Sequence, residues 1–285
     1  MTVEAGAKEL LQRDEGLATA ARFSVQPGLR VGVVIPTLNE ARNLEHVLPK
    51  IPAWVDEIVI VDGRSTDDTV AEALRLRPDA RIVLESRPGK GRALLTGFAA
   101  CSCDLIVTFD ADGSMDPGEI PSFVLTLLLG ADFAKGSRFL QGGGTFDMGL
   151  LRRAGNRGLT GAVRLAFGAR FTDLCYGYNA FWADVLPFLE GEAGGFEIET
   201  HMNLRALGHG LRVVEVPSYE RRRVYGVSNL RTFRDGFRVL RTILRERANL
   251  RGLEAIEIAG LSDLAGLSNP ADLAGLSALT PVIAG

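Results

Sequence analysis

From residue 31 to about 140 the apolar positions fall in short unbroken runs, each followed by a polar turn and then by apolar residues at three- and four-residue spacing. "RVGVVIPT" precedes "LNEARNLEHVLPKI", "DEIVIVDG" precedes "STDDTVAEALRLR", "ARIVLES" precedes "GKGRALLTGFAACS", "CDLIVTFDADG" precedes "DPGEIPSFVLTLLLG", and "ADFAKGSRF" is a fifth run. Runs that do not alternate belong to strands covered on both faces, and the strand, turn, helix order makes those strands parallel. The predicted fold class is α/β, an α/β/α sandwich on a mostly parallel central sheet. Asn39 has the side chain of a helix N-cap, and Asp116 stands before Pro117 where a later helix is expected to start. Ligands of such sheets sit beyond the carboxyl ends of the strands, so Glu40, Asp62 and Asp110 are expected in one crevice.

After Gly144 the rhythm changes. "MGLLRRAGNRGLTGAVRLAFGA" is a basic helical segment, "FTDLCYGYNAFW" an aromatic strand-like one, and "GFEIETHMNLRALGHG" a helix ending at Gly. "LRVVEVPSYERRRVYGVSNL" reads as a strand and an ordered loop before a last long helix. These elements continue one domain over 29–250, with halves 29–140 and 141–250. Residues 1–28 are peripheral, and 251–285 form a tail that carries Leu-Ala-Gly-Leu-Ser at 264–268 and again at 273–277. Two copies are too few for a solenoid.

With 46% apolar and 24% charged residues the chain has the composition of an ordinary globular domain. Its longest apolar stretch, "FVLTLLLGA" from Phe123, is well short of the ~20 residues that cross a bilayer, and the first thirty residues carry no hydrophobic signal core. A cytoplasmic setting is expected. Cys101 and Cys103 form a CxC pair and Cys175 stands apart; no second pair or nearby His completes a tetrahedral site, so all three are expected as buried thiols.

"IVTFDADGSMDP" sets Asp110, Asp112 and Asp116 directly behind an apolar run. A calcium loop of the EF-hand type needs Gly sixth and Glu twelfth; counted from Asp110 those places hold Met115 and Pro121. Two readings remain, an acidic turn that caps the next helix and a divalent-metal site that holds a phosphorylated ligand.

The order of motifs decides more than any one of them. "VVIPTLNE", "VDGRSTDDT", "GKGRALLTGF", "DADG", "GSRFLQGGG" and "RVYGVSNL" together resemble the family 2 glycosyltransferases of GT-A fold, and most of all their dolichol- and polyprenyl-phosphate mannosyltransferase branch, over residues 31 to about 245. The resemblance implies a nucleotide-sugar donor, GDP-sugar before UDP-sugar, inversion at the anomeric carbon, and a divalent cation, Mg or Mn, held by Asp110 and Asp112. It makes 29–140 the nucleotide-binding half and 141–250 the acceptor-side half. It lines the nucleotide site with Pro36, Leu38 and Glu40 opposite Val61 and Asp62, and puts Ala111 between the metal ligands. It assigns Arg138, Arg152 and Arg223 to donor and acceptor phosphates, where a planar guanidinium suits phosphate oxygens. The chain departs from the branch twice, with Gly63 after Asp62 and with Asn229 in place of a Lys that would face substrate.

An inverting transfer to a hydroxyl needs a carboxylate base, whereas a phosphate acceptor is already an anion. Asp173 is the leading candidate, with Glu197 and Glu199 behind it. Asp112 and Arg138 complete the catalytic set that the resemblance implies. Lys90 at the start of a helix is a further phosphate candidate.

From Arg221 to Arg251 there are ten Arg against Asp235 and Glu246, in a chain of net charge -3. Leu230, Phe233, Phe237, Leu240 and Leu244 form an apolar stripe among them. The segment 229–247 is read either as an interfacial helix on anionic lipid at the inner membrane face or as a core helix with a solvated face. No nucleic-acid motif accompanies the charge, so the expected partners are a nucleotide sugar and a polyprenyl-phosphate or small-molecule acceptor. A nucleotide-sugar mutase on the same fold is the alternative activity.

Overall fold

The computed structural model describes residues 28–146, 148–169, 171–189, 191, 193–226 and 232–265. The repeated tail segments beyond 265, the residues before 28, and Asn229 lie outside the described residues. By internal contacts the chain divides into units 1–243 and 244–285. The fold and the cavity described below belong to the first, so the division falls within the last helix, seven residues before the boundary expected from the sequence.

All five predicted runs are strands: β1 Val31–Thr37, β2 Glu57–Asp62, β3 Arg81–Leu84, β4 Leu105–Thr108 and β5 Phe133–Ser137. The helices between them are α1 Ala41–Val47, α2 Thr69–Leu76, α3 Lys90–Ala100 and α4 Ile120–Leu128. The second half adds β6 Gly144–Thr145, α5 Leu150–Phe167, β7 Asn179–Trp182, α6 Leu186–Leu189, α7 Ile198–Gly208, β8 Val213–Pro217, β9 Tyr219–Glu220 and α8 Thr232–Ala265. The main sheet runs β3-β2-β1-β4-β7-β5-β8, and β6 pairs with β9 in a separate ribbon. Every pairing in the main sheet is parallel except those of β7, which lies antiparallel between β4 and β5. The aromatic "NAFW" segment of the second half thus sits in the middle of the sheet begun by the first half.

Alternate residues of each strand feed two cores. Val33 and Ile35 of β1 pack with Leu44 of α1 and Phe123 of α4, while Val34 packs on the opposite face with Leu94 and Phe98 of α3 and Met202 of α7. Burying each large apolar side chain contributes roughly 1.5–3 kcal/mol, which is why the runs are unbroken. A third cluster joins Val163 of α5 and Leu204 of α7 to Val239 and Ile243 of α8.

Asn39 does not cap α1. Its backbone is left-handed at φ 56, a conformation Asn tolerates, and its Oδ1 accepts the Thr66 N–H at 2.8 Å. Glu40 takes the capping position with no side-chain cap bond. The turn after β1 is therefore tied to the loop after β2, and both strand ends are held at one rim. Asp116 does cap, accepting the Gly118 N–H at 2.9 Å where the chain turns toward α4.

Candidate active site

The strand ends enclose a cavity of about 430 Å³ whose wall combines both halves of the chain. The first half contributes Pro36, Leu38 and Glu40 after β1, Gly63 after β2, Lys90 at the start of α3, and Asp110, Ala111 and Asp112 after β4. The second contributes Arg138 after β5, Arg152 and Asn156 from α5, Tyr176 and Glu199, Glu220 and Arg223. Gly89 makes one of these approaches possible: it sits at φ 129, and a Cβ there would overlap the Gly194 carbonyl.

Val61, Asp62 and Asp173 do not line this wall. Val61 is fully buried in the core against α3. Asp62 lies just beneath Gly63, with Oδ2 accepting the Ser65 N–H at 3.0 Å and Oδ1 buried without a partner. Asp173 is fully buried under Arg138.

Three ion-pair groups organise the polar wall. Lys90 Nζ lies 2.6 Å from Asp110 Oδ1 and 2.7 Å from Glu199 Oε1. Burial alone would discharge it, but the two carboxylates outweigh that and hold its pKa above the usual lysine value. Arg223 bridges the loops after β1 and β4, 2.9 Å from Glu40 Oε1 and 2.9 Å from Asp112 Oδ2. Burial pushes the Glu40 carboxyl up, against the pull of Asn43 and Arg223. Arg138 is the third centre, with Nε 2.6 Å from Asp173 Oδ2, Nη1 3.0 Å from Glu220 Oε1, and its plane 4.6 Å from the Tyr176 ring. The loop that carries Arg223 is fixed to the acidic loop through its backbone, since Arg221 N–H donates to Ser114 O at 2.7 Å and Val224 N–H to Asp112 O at 3.3 Å.

Residues 32–186 match the model of the glycosyl transferase family 2. The chain belongs to glycosyl transferase family 2. It is 32% identical over 232 residues to a polyprenol monophosphomannose synthase of Mycolicibacterium smegmatis, covering 77% of this chain and 87% of that one. It is 45% identical over 111 residues, 39% of its length, to an uncharacterized glycosyltransferase of Mycobacterium bovis, and spans 50% of that relative. Among solved structures it resembles glucosyl-3-phosphoglycerate synthase from Mycobacterium tuberculosis in complex with Mn2+, uridine-diphosphate-glucose and phosphoglyceric acid, with TM-score 0.64 and 27% identity over 80% of this chain and 83% of that one.

The donor atoms of this family 2 chain suit a hard divalent cation. Asp110 and Asp112 present carboxylate oxygens to the same cavity, two ligands where such ions take one or two from protein and the rest from phosphate and water. Both carboxylates are also paired with cations from other elements, Lys90 and Arg223, with which a divalent cation would share them.

Asn156 and Glu220 are wall residues not singled out by sequence. Asn156 sits one helical turn after Arg152, its Oδ1 accepting the Leu174 and Cys175 N–H groups at 3.3 Å each while Nδ2 is buried without a partner. The signal was the four-residue spacing from Arg152 on one helix face. Glu220 reaches Arg138 from the edge of the small ribbon, and only the pairing of β9 with β6 brings it there.

Proposed function

We propose that the chain is a metal-dependent, inverting hexosyltransferase that takes its sugar from a nucleoside diphosphate and gives it to a phosphorylated acceptor. The observation that carries this is the meeting, in one cavity, of the Asp110 and Asp112 carboxylates with Arg152 and Asn156 from the acceptor-side half. Asp110 and Asp112 would hold a cation beside a diphosphate, and the Arg and amide donors suit an acceptor anion. When bound, the divalent cation neutralises charge on the departing nucleoside diphosphate.

The chain's own residues supply the rest. Pro36, Leu38 and Glu40 form the wall of the nucleoside site, with Gly63 beside them. Arg138 has its guanidinium committed to Asp173 and Glu220, so we assign Asp173 to orienting Arg138 rather than to taking a proton. An anionic acceptor oxygen needs no base, which fits a cavity whose remaining acids, Glu40, Glu199, Glu220 and Asp235, are all paired with cations. Arg223 clamps the nucleotide side, and Asn229, outside the described residues, is kept in the proposed substrate set on the resemblance alone.

GDP-hexose as donor and polyprenyl phosphate as acceptor are the first choice, supported by the likeness to the mannosyl relative. A second reading, a small phosphorylated acid as acceptor with UDP-glucose as donor, is supported by the likeness to the solved synthase and by Arg152 and Asn156 lining the cavity one helical turn apart. The test is transfer from labelled GDP-mannose or UDP-glucose, with Mn2+, to a short polyprenyl phosphate, to 3-phosphoglycerate, or to nothing. The first choice expects an inverted glycosyl phosphate from GDP-mannose. Product only with 3-phosphoglycerate selects the second reading. An isomerised nucleotide sugar in the acceptor-free tube would replace both with a mutase.

A further inference from the structure

The CxC pair acquires a third partner in the fold. Cys101 ends α3, Cys103 precedes β4, and Glu57 opens β2; one ligand atom from each lies within 4.8 Å of the other two. Glu57 Oε2 is 3.5 Å from Cys103 Sγ and 4.0 Å from Cys101 Sγ. A tetrahedral zinc with Zn–S ~2.3 Å and Zn–O ~2.0 Å has an S to O edge of about 3.5 Å, so the three atoms need move little to share an ion.

The space for the sulfurs is built into the sheet. Gly32 of β1 pairs with Glu57 across the strands, and a Cβ at residue 32 would collide with Cys101 Sγ and come within 3.1 Å of Cys103 Sγ. Only Gly lets both thiols converge there. The carboxylate is oriented by the loop it faces, accepting both the backbone N–H and the hydroxyl of Ser102 at 2.9 Å. Two thiolates and a carboxylate around a divalent ion leave one excess negative charge. Arg81 Nη1, 3.6 Å from Glu57 Oε1, stands to offset it, and Arg30 Nη1 holds the Ser102 carbonyl at 3.4 Å. Cys101 is partly exposed, which leaves a way in for the ion and for a water as fourth ligand.

We propose that Cys101, Cys103 and Glu57 form a binding site for a zinc-class divalent cation at the end of the sheet opposite the cavity. Glu57 and Asp62 stand five residue steps apart along β2, roughly 16 Å at the rise of a strand, so this ion is not the one that serves the diphosphate. Thiolate ligands select zinc over magnesium, which keeps the two sites chemically distinct. Binding breaks two S–H bonds, forms two metal–sulfur bonds, and releases two protons to solvent. Because both thiols give up their protons to bind, the ion is held more tightly as pH rises.

The experiment is a Co2+ titration of the fully reduced chain in Mg2+-containing buffer, read by thiolate-to-cobalt charge-transfer absorption, which oxygen ligands at Asp110 and Asp112 do not produce. We expect one equivalent of Co2+ per chain, displaced by Zn2+. The band is lost in Cys101→Ser and Cys103→Ser and kept in Cys175→Ser and Asp112→Ala. In Glu57→Gln, affinity falls about tenfold or more, the scale of a disturbed ligand set. Absence of the band in the parent at excess Co2+, with three titratable thiols confirmed, overturns the proposal whatever the variants do. A band that survives both Cys→Ser changes overturns it equally.

Discussion

Arg138 on the cavity wall and the fully buried Asp173 face each other through two parallel hydrogen bonds, Nε to Oδ2 at 2.6 Å and Nη2 to Oδ1 at 3.0 Å. Burial would raise the Asp173 carboxyl, but the Arg138 charge and its hydrogen bonds hold it below the usual carboxylate range. A carboxyl depressed in the folded state contributes stability that is fully present above its unfolded pKa of ~3.9 and is lost as pH falls through the folded value. Asp173→Asn is therefore expected to destabilise the chain by about 3–5 kcal/mol at pH 7, the usual cost of breaking a buried pair from one side. The gap to the parent should narrow below pH ~4. Urea unfolding at pH 7 and in the acid range checks both statements; a gap that stays constant with pH would remove the ion pair as its cause.

The cation prediction separates chemistry from folding. Asp112 sits in a loop beyond β4 with Oδ1 on the Ser114 N–H and Oδ2 on Arg223, outside the apolar cores. Asp112→Ala should lower turnover by at least about a hundredfold, in the range expected when a positioned electrostatic group is lost. The far-UV spectrum should not change. EDTA should stop the parent and excess Mn2+ restore it. Turnover that is equal with and without EDTA would take the metal out of the mechanism.

Most of the architecture was legible because apolar runs bounded by turns report burial directly: β1 to β5 all fall inside the runs read from sequence. The position of β7 was not, since which strand it joins depends on contacts between distant segments rather than on its own pattern. Asp110, Asp112, Arg138 and Arg223 were legible as motif residues, yet their pairings were hidden. Lys90 with Glu199, or Arg223 with Glu40, spans more than a hundred residues of chain. Glu57 carried no signal as a partner for the CxC pair, because the two meet only through the register of β1 with β2.

Lys90 gives a prediction that links stability to metal. Its ammonium lies between Asp110 and Glu199, so Lys90→Met leaves two carboxylates facing each other without their shared cation. The metal-free variant should melt well below the parent. Mn2+ should then raise its melting temperature more than it raises the parent's, because an ion that binds only the folded state also replaces the missing charge. Differential scanning calorimetry with and without Mn2+ measures this. Equal shifts in the two proteins would mean that Lys90 does not share a ligand with the metal.

The last prediction concerns the surface beside the cavity. The apolar stripe read from sequence faces outward over its described part: Phe233 is 80% exposed and Phe237 70%, while Val239 and Ile243 turn to the core. The core-helix reading with Phe233, Phe237 and Leu240 inside is thus corrected, since a helix can bury only one face and α8 buries the other. Arg234, Arg238 and Arg241 are exposed on the same helix, and Phe146, Leu150 and Leu151 are exposed near the start of α5. None of the described helices is long and apolar enough to cross a membrane. Exposed Phe among Arg is instead the pattern of a helix that lies on an anionic surface, each charge contributing ~1 kcal/mol close to it. The parent chain should therefore sediment with vesicles rich in anionic lipid, less so as salt rises, and bind neutral vesicles poorly. Replacing Arg234, Arg238 and Arg241 by Gln keeps helix propensity and removes the charge. Phe233→Ser with Phe237→Ser removes the apolar part and leaves the charge. Both variants should bind more weakly while keeping transfer to a water-soluble acceptor. If the Gln variant sediments as well as the parent, the surface does not read lipid charge, and the case for a lipid acceptor rests on the mannosyl likeness alone.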